Sequence, residues 1–106
     1  MSYRFMRMLL FFDLPVVEAH ERRDYAQFRK YLIRSGFIML QESVYCKLLL
    51  NSTTAAMLSQ SIRKNKPAKG LIQTLLVTEK QYARMEFILG EFESEVLSTD
   101  ERLVII

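Results

Sequence analysis

The sequence has little of the residues from which several kinds of functional site are built. Cys46 is the only cysteine and His20 the only histidine among 106 residues. A single cysteine excludes an internal disulfide and a cysteine-based zinc site. No apolar run approaches the roughly 20 residues of a membrane-spanning helix, and the stretch at 8–12 is too short for a signal peptide. The sequence therefore predicts one cytoplasmic domain with a single core and no membrane segment.

Sequence motifs for common catalytic sites are also missing. The chain contains no glycine-rich dinucleotide loop, no P-loop, and neither an HExxH nor a GxSxG motif. Ser43 has no plausible histidine and aspartate partners for a nucleophilic triad. The remaining candidates for a functional site are therefore clusters of charge and single acidic residues.

Charge is distributed unevenly along the chain. Residues 1–84 carry 14 Lys and Arg against 6 Asp and Glu, a balance of +8, whereas residues 85–106 carry 1 Arg against 6 acids, a balance of −5. A basic body favours an anionic partner, and the acidic tail would either shield that surface or dock onto a basic protein. The alternative is a solvated surface of mixed charge.

Apolar periodicity and turn residues predict the order βαββαβ, an α+β, ferredoxin-like arrangement with both helices on one face of a sheet. The predicted strands are 3–12, 37–41, 43–50 and 71–77, and the predicted helices are 18–35 and 53–65. A short helix or turn at 79–84 and further strands at 85–89 and 103–106 would follow. We expect residues 1–90 to form the ferredoxin-like domain. Residues 91–106 would be part of it or exchanged across a dimer.

The predicted strands supply more apolar surface than one layer of helices can cover. An uncovered apolar sheet face normally becomes an interface. The terminal tetrapeptide at 103–106 is apolar and β-branched, which suggests pairing with a sheet edge. The sequence therefore predicts a two-fold homodimer in which C-terminal strands extend or cross onto the partner sheet.

Asp13 closes the first predicted strand and is the only acid in the first seventeen residues. Because Pro15 ends the strand, the carboxylate is held where loops and ligands usually meet, although it would equally suit a cap for the following turn or helix. One carboxylate is too few for Mg²⁺. A two-fold dimer would bring two Asp13 side chains together to share a Mg²⁺ or Mn²⁺ ion near the axis. His20 would then assist proton transfer or be an inert surface histidine.

Candidate phosphate contacts fall in two basic clusters. Five cations lie on an arc of the first predicted helix opposite its core stripe: Arg22, Arg23, Arg29, Lys30 and Arg34. Four more follow the second predicted helix: Arg63, Lys64, Lys66 and Lys69. Such clusters would hold phosphates through charge and without regard to sequence. The alternative for the helix is an ordinary solvated face.

Three segments together resemble the small CRISPR-associated family "Cas two", of the kind found in type II systems. They are FDLP at residues 12–15, RRDYAQFRK at 22–30 and GFIMLQESVY at 36–45. The strand-end acid alone is a weak signal, but the combination with the Arg-rich helix, the third segment and the chain length is specific. The resemblance covers nearly the whole chain.

The resemblance implies a ferredoxin-like homodimer that works with the integrase "Cas one" to insert short DNA duplexes into a CRISPR array. The dimer would bridge two integrase dimers and hold the protospacer duplex. It also implies that Asp13 corresponds to the family's proposed metal ligand. Some members of the family are described as metal-dependent nucleases on RNA or DNA. The C-terminal partner contacts would be Glu91, Glu93, Glu95, Leu103, Val104, Ile105 and Ile106.

Two alternatives to the adaptor function stay open. One is a metal-dependent phosphodiesterase that uses paired Asp13 side chains. The other is a ferredoxin-like toxin ribonuclease resembling the VapD group, which the helix and hairpin segments argue against.

Overall fold

The computed structural model describes residues 5–91 and shows a four-stranded antiparallel sheet packed against helices. The elements in chain order are β1 (Met6–Asp13), α1 (Ala19–Arg34), β2 (Ile38–Gln41), β3 (Val44–Leu49), α2 (Ser52–Asn65), β4 (Leu71–Thr78) and α3 (Glu79–Tyr82). The strand order across the sheet is β2-β3-β1-β4. This arrangement confirms the predicted ferredoxin-like βαββαβ order, to which α3 is added.

The core lies between one face of the sheet and the pair α1 and α2. Side chains alternate along β1, so that Met8, Leu10 and Phe12 are buried on this face. Helix α1 covers them with Phe28 and Leu32. Burying a side chain of this size contributes about 1.5–3 kcal/mol, which makes this face the main source of stability.

The helix ends follow signals that the sequence carries. Gly36 follows α1 with a φ of 96°, a left-handed conformation that favours glycine, and its amide donates to the Ile33 carbonyl. Asn51 caps α2, since its side-chain oxygen accepts a 2.8 Å hydrogen bond from the Thr54 amide. Glycine just after a helix and asparagine just before one are residue types that favour such ends.

The sequence predicts a fifth strand at 85–89, and this prediction is wrong. In the described part of the chain these residues join no sheet, and Ile88 and Leu89 are 83% and 93% exposed. A strand forms only beside another strand edge that accepts its hydrogen bonds, which local apolar composition does not determine. The predicted strand at 103–106 and the acids Glu93 and Glu95 lie outside the described residues.

The sheet face opposite α1 and α2, called the open face below, is only partly covered. Arg7, Leu9 and Phe11 of β1 lie on it, alternating with the core residues. Helix α3 packs over the Arg7 end. Towards the Asp13 end of β1, Leu71 and Leu75 of β4 are 55% and 53% exposed. Within the described residues 5–91 an apolar surface thus remains uncovered, as the sequence predicts.

Candidate nucleic-acid interface and strand-end acid

Asp13 is the last residue of β1, and its backbone pairs with Leu71 of β4. Its side chain is exposed and lies on the open face, because Phe12 before it points into the core. The alternative that Asp13 caps the helix is wrong. Helix α1 is capped by Glu18 together with Glu21. The Glu21 Oε1 accepts a 2.9 Å hydrogen bond from the Glu18 amide.

The described residues 5–91 of a single chain do not build a metal site around Asp13. Among residues 5–91 no group of three His, Cys, Asp or Glu side chains is placed to hold a metal ion. His20 lies at the exposed start of α1, with Nδ1 3.9 Å from Glu18 Oε1. Since Mg²⁺ requires several oxygen ligands, the described residues of one chain do not fit it. The predicted shared ion needs a second chain and stays a prediction.

The second basic cluster packs against the end of β1 at Gly70. This glycine has a φ of 115°, and a methyl group added to it would lie 2.5 Å from Leu14 Cδ2 and 2.9 Å from the Asp13 carbonyl oxygen. Only glycine lets the chain adopt this conformation at so short a distance. The loop that carries Lys66 and Lys69 is therefore placed directly beside the strand-end acid.

A shallow cleft of about 70 Å³ separates the same loop from the start of α1. Its lining includes His20, Glu21, Asp24 and Lys69, but not Asp13. The pKa of Glu21 is lowered, chiefly because its carboxylate accepts the hydrogen bond from the Glu18 amide, with the Val17 amide, His20 and Lys69 acting in the same direction. The cleft mixes charges of both signs, and its described lining contains no serine, threonine or cysteine.

All nine predicted phosphate-binding cations are exposed. They differ in what their side chains contact. The Arg22 guanidinium donates to the carbonyl oxygens of Val16 and Val17 at 3.2 and 2.6 Å, and Arg29 Nη2 lies 3.9 Å from Met39 Sδ. The Arg23 side chain forms no hydrogen bond or ion pair within residues 5–91. Exposure alone therefore does not make these cations equivalent.

Sequence reasoning missed a polar cluster on the open face. Arg7 Nε donates to Glu79 Oε2 at 2.6 Å, Arg7 Nη1 lies 3.6 Å from Cys46 Sγ, and the guanidinium carbon stands 4.4 Å from the centre of the Tyr82 ring. Cys46 is fully buried beneath them. The signal in the sequence was a charged residue, Arg7, within an apolar strand, where partial burial requires a partner for the charge.

Tyr45 is a second feature that the sequence does not reveal. Its side chain is fully buried on β3, and its ring stacks on Phe12 with centroids 5.7 Å apart. Within residues 5–91 its hydroxyl has no hydrogen-bond partner. Burial raises the pKa of Tyr45, and the positive charge of the nearby Arg29 guanidinium acts in the opposite direction.

Fold and surface together define a class: a small ferredoxin-like protein with two exposed basic clusters and a strand-end acid. None of the described helices is long and apolar enough to cross a membrane. Comparison with known proteins narrows the class. The family model for CRISPR associated protein Cas2 matches residues 6–85. The chain belongs to this family, whose identity supports a role in CRISPR adaptation.

Relatives agree with the family match over almost their entire length. A protein of Treponema denticola named CRISPR-associated endoribonuclease Cas2 is 58% identical over 101 residues, which are 95% of this chain and 100% of the relative. Proteins of the same name from Streptococcus mutans and Ligilactobacillus salivarius are 48% and 45% identical. The alignments cover 93% and 95% of this chain, and 91% and 100% of those relatives, respectively. The resemblance drawn from three sequence segments is thereby confirmed.

Proposed function

We propose that the protein is the dimeric adaptor of spacer acquisition, which bridges integrase dimers and holds a protospacer DNA duplex. The observation that carries this proposal is the exposure of the basic residues of α1 and of the loop after α2. Exposed cations release counterions when they contact phosphates, and binding weakens with salt by a slope of about 0.9 per contact. No base-reading feature is required, because an adaptor must accept duplexes of any sequence.

The uncovered part of the open face supports the homodimer. In the register of the sheet Leu75 pairs with Leu9 and Leu71 pairs with Asp13, and more than half of each β4 leucine is exposed. A second copy would bury this surface by a two-fold interface in which the same residues meet. The basic residues of α1 lie on the other side of the sheet and would stay accessible in such a dimer.

The acidic C-terminal segment is the proposed dock for the integrase. Glu91, the last described residue, is exposed. The other proposed contacts lie in residues 92–106, outside the described part. Reversal of Glu93 and Glu95 to Lys should weaken co-elution with the cognate integrase, because it removes the charge complementarity proposed for the contact. Unchanged co-elution would reject the segment as the dock.

An integration assay tests the adaptor function. A labelled short duplex is supplied to the cognate integrase and a repeat-containing plasmid, with wild-type protein, with Asp13→Ala, or with neither. Equal stimulation by both proteins is expected if Asp13 is dispensable for bridging. No stimulation by either would refute the adaptor function. Stimulation by wild type alone, with the variant still dimeric, would instead assign Asp13 a chemical role.

A matched pair of charge variants tests the surface. Lys30→Gln with Arg34→Gln removes two cations from α1, whereas Lys80→Gln with Arg84→Gln removes two exposed cations from the region of α3. We expect the first pair to weaken duplex binding and to lower the salt slope by about two, and the second to leave both unchanged. Equal effects of the two pairs would show that net charge matters and the α1 surface does not.

A metal-dependent endonuclease is the second candidate. The exposure of Asp13 at the end of β1 favours it, and the relatives described above carry the name endoribonuclease. Because residues 5–91 of one chain do not fit a metal ion, the proposal places Mg²⁺ or Mn²⁺ between the Asp13 side chains of two protomers. The family match favours both CRISPR functions over the toxin alternative.

The nuclease candidate predicts cleavage of RNA or DNA that requires Mg²⁺ or Mn²⁺ and disappears in Asp13→Asn. Glu42→Gln is the matched control, because Glu42 is an exposed acid in the hairpin at the same end of the sheet. Cleavage that persists in Asp13→Asn would identify a contaminant or another site, and would refute this candidate.

A further inference from the structure

Five residues lie between the end of β1 and the start of α1, and the last three of them, 16–18, are not held by burial. Leu14 before them is buried, but Val16 and Val17 are 47% and 80% exposed, and Glu18 is also exposed. A loop whose apolar side chains face water gains little from the hydrophobic effect. Its conformation must be fixed by the backbone or by polar contacts.

Two neighbouring side chains of α1 supply those contacts from opposite sides. Glu21 Oε1 accepts hydrogen bonds from the amides of Val17 and Glu18, at 3.0 and 2.9 Å. Arg22 Nη1 donates to the carbonyl oxygens of Val16 and Val17, at 3.2 and 2.6 Å. The Glu21 carboxylate thus accepts from the amides of the loop, and the Arg22 guanidinium donates to its carbonyl oxygens. Each ionised partner strengthens its hydrogen bonds relative to a neutral pair.

We propose that Glu21 and Arg22 form a clamp that positions the loop after the strand-end acid, so that Arg22 serves this loop and is not one of the duplex contacts. The proposal refines the proposed function, since it depends on α1 facing phosphates through its other cations. It assigns Arg22 a different role from Arg23, its neighbour in sequence. Both are exposed, but within residues 5–91 only Arg22 forms hydrogen bonds.

The clamp also connects the two basic clusters. Lys69 lies in the same cleft as Glu21 and contributes to its lowered pKa, while Gly70 seats the loop after α2 against Leu14. The start of α1 and this loop therefore meet at one corner beside Asp13. A clamp there fixes the direction in which α1 leaves the sheet, and with it the placement of the free cations along the helix.

Arg22→Gln and Arg23→Gln in the full-length protein form the decisive pair of variants. Each removes one exposed cation from the same turn of α1. We measure amide hydrogen exchange at Val17 and Glu18, together with the salt dependence of binding to a short blunt DNA duplex. Arg22→Gln removes the donor to the Val16 and Val17 carbonyl oxygens and so loosens the loop, while Glu21 still accepts from the two amides. It should therefore raise the exchange rate of these amides by about five-fold and leave the salt slope unchanged. Arg23→Gln should lower the slope by about 0.9 and leave exchange unchanged.

Glu21 provides an independent check on the same loop. Glu21→Gln keeps an oxygen acceptor of the same shape and should retain most of the protection of Val17 and Glu18. Glu21→Leu removes the acceptor and should raise their exchange by about five-fold. Equal protection in the two variants would overturn the clamp. Val17→Ser controls for burial, and we expect it to leave the exchange at Glu18 unchanged.

Different results would refute the clamp and the proposed function. A lower salt slope in Arg22→Gln with unchanged exchange would overturn the clamp and restore Arg22 as a phosphate contact. Unchanged salt slopes in Arg23→Gln and in the Lys30 and Arg34 double variant would instead refute the α1 surface of the proposed function. In that case raised exchange in Arg22→Gln would still support the clamp.

Discussion

Arg7 and Glu79 are joined across 72 positions of sequence by a 2.6 Å hydrogen bond between Nε and Oε2, which ties α3 to the middle of the sheet. The two side chains are 21% and 35% exposed, so water screens the pair only in part. The aromatic ring of Tyr82 lies against the same guanidinium. This contact decides which part of the open face α3 covers and which part stays apolar and free.

A double-mutant cycle on Arg7→Met and Glu79→Gln should therefore show coupling. We expect an interaction free energy of about 1 kcal/mol from the free energies of unfolding of the wild type, both single variants and the double variant. Lys80→Gln is the control, since Lys80 is an exposed neighbour in α3. Additive effects of the two substitutions would show that the hydrogen bond does not hold α3 in solution.

The Tyr82 phenol should ionise at an unusually high pH. Burial raises its pKa to about 12, Cys46 acts in the same direction, and Arg7 opposes the shift. The folded protein thus keeps the proton between pH 10 and 12, where the unfolded chain loses it, so this contribution to stability is present below pH 10 and is lost as pH rises through 12. Absorbance titration of wild type against Tyr82→Phe measures the group directly. A difference spectrum centred near pH 10 would contradict the burial of this phenol.

Removal of the Tyr45 hydroxyl should stabilise the protein. A buried hydroxyl without a partner costs about 1–3 kcal/mol, and Phe keeps the stacked ring while deleting the unsatisfied atom. Tyr31→Phe is the matched control, because the Tyr31 hydroxyl is hydrogen-bonded to Ser61 Oγ at 2.5 Å and its loss should destabilise by about 1 kcal/mol. Denaturant midpoints that shift in the same direction for both variants would refute the difference between the two hydroxyls.

Gly70→Ala should destabilise the protein more than Gly90→Ala. Both glycines have a positive φ, but a methyl group at Gly70 would collide with Leu14 and the Asp13 carbonyl, whereas none of the described residues lies within 4 Å of the corresponding position at Gly90. Strain in φ costs about 1 kcal/mol at either site, and the collision should add about 1–3 kcal/mol at Gly70. Thermal unfolding of the two variants measures the difference. Equal losses would mean that the loop moves away from β1 without cost.

Local signals in the sequence were sufficient for the fold. Alternation in β1 and the apolar stripe of α1 depend on residues close in the chain, and the structure shows both. The helix ends at Gly36 and Asn51 are local in the same way. The predicted strand at 85–89 failed because a strand depends on a distant edge. The exposure of the basic residues was likewise predictable, since charged side chains opposite an apolar helix stripe face water.

The partners of individual side chains were decided by tertiary structure. Arg7 meets Glu79 and Tyr82 only because β1 and β4 are neighbours in the sheet, and Gly70 meets Leu14 for the same reason. Hydrogen bonds and close packing act over a few ångströms in space, whereas sequence patterns report only residues within a few turns of each other. The sequence by itself therefore determined the order of elements, the charged surface and the family. The tertiary structure alone decided which exposed residues are free and which, like Arg22, are already bound to the protein's own backbone.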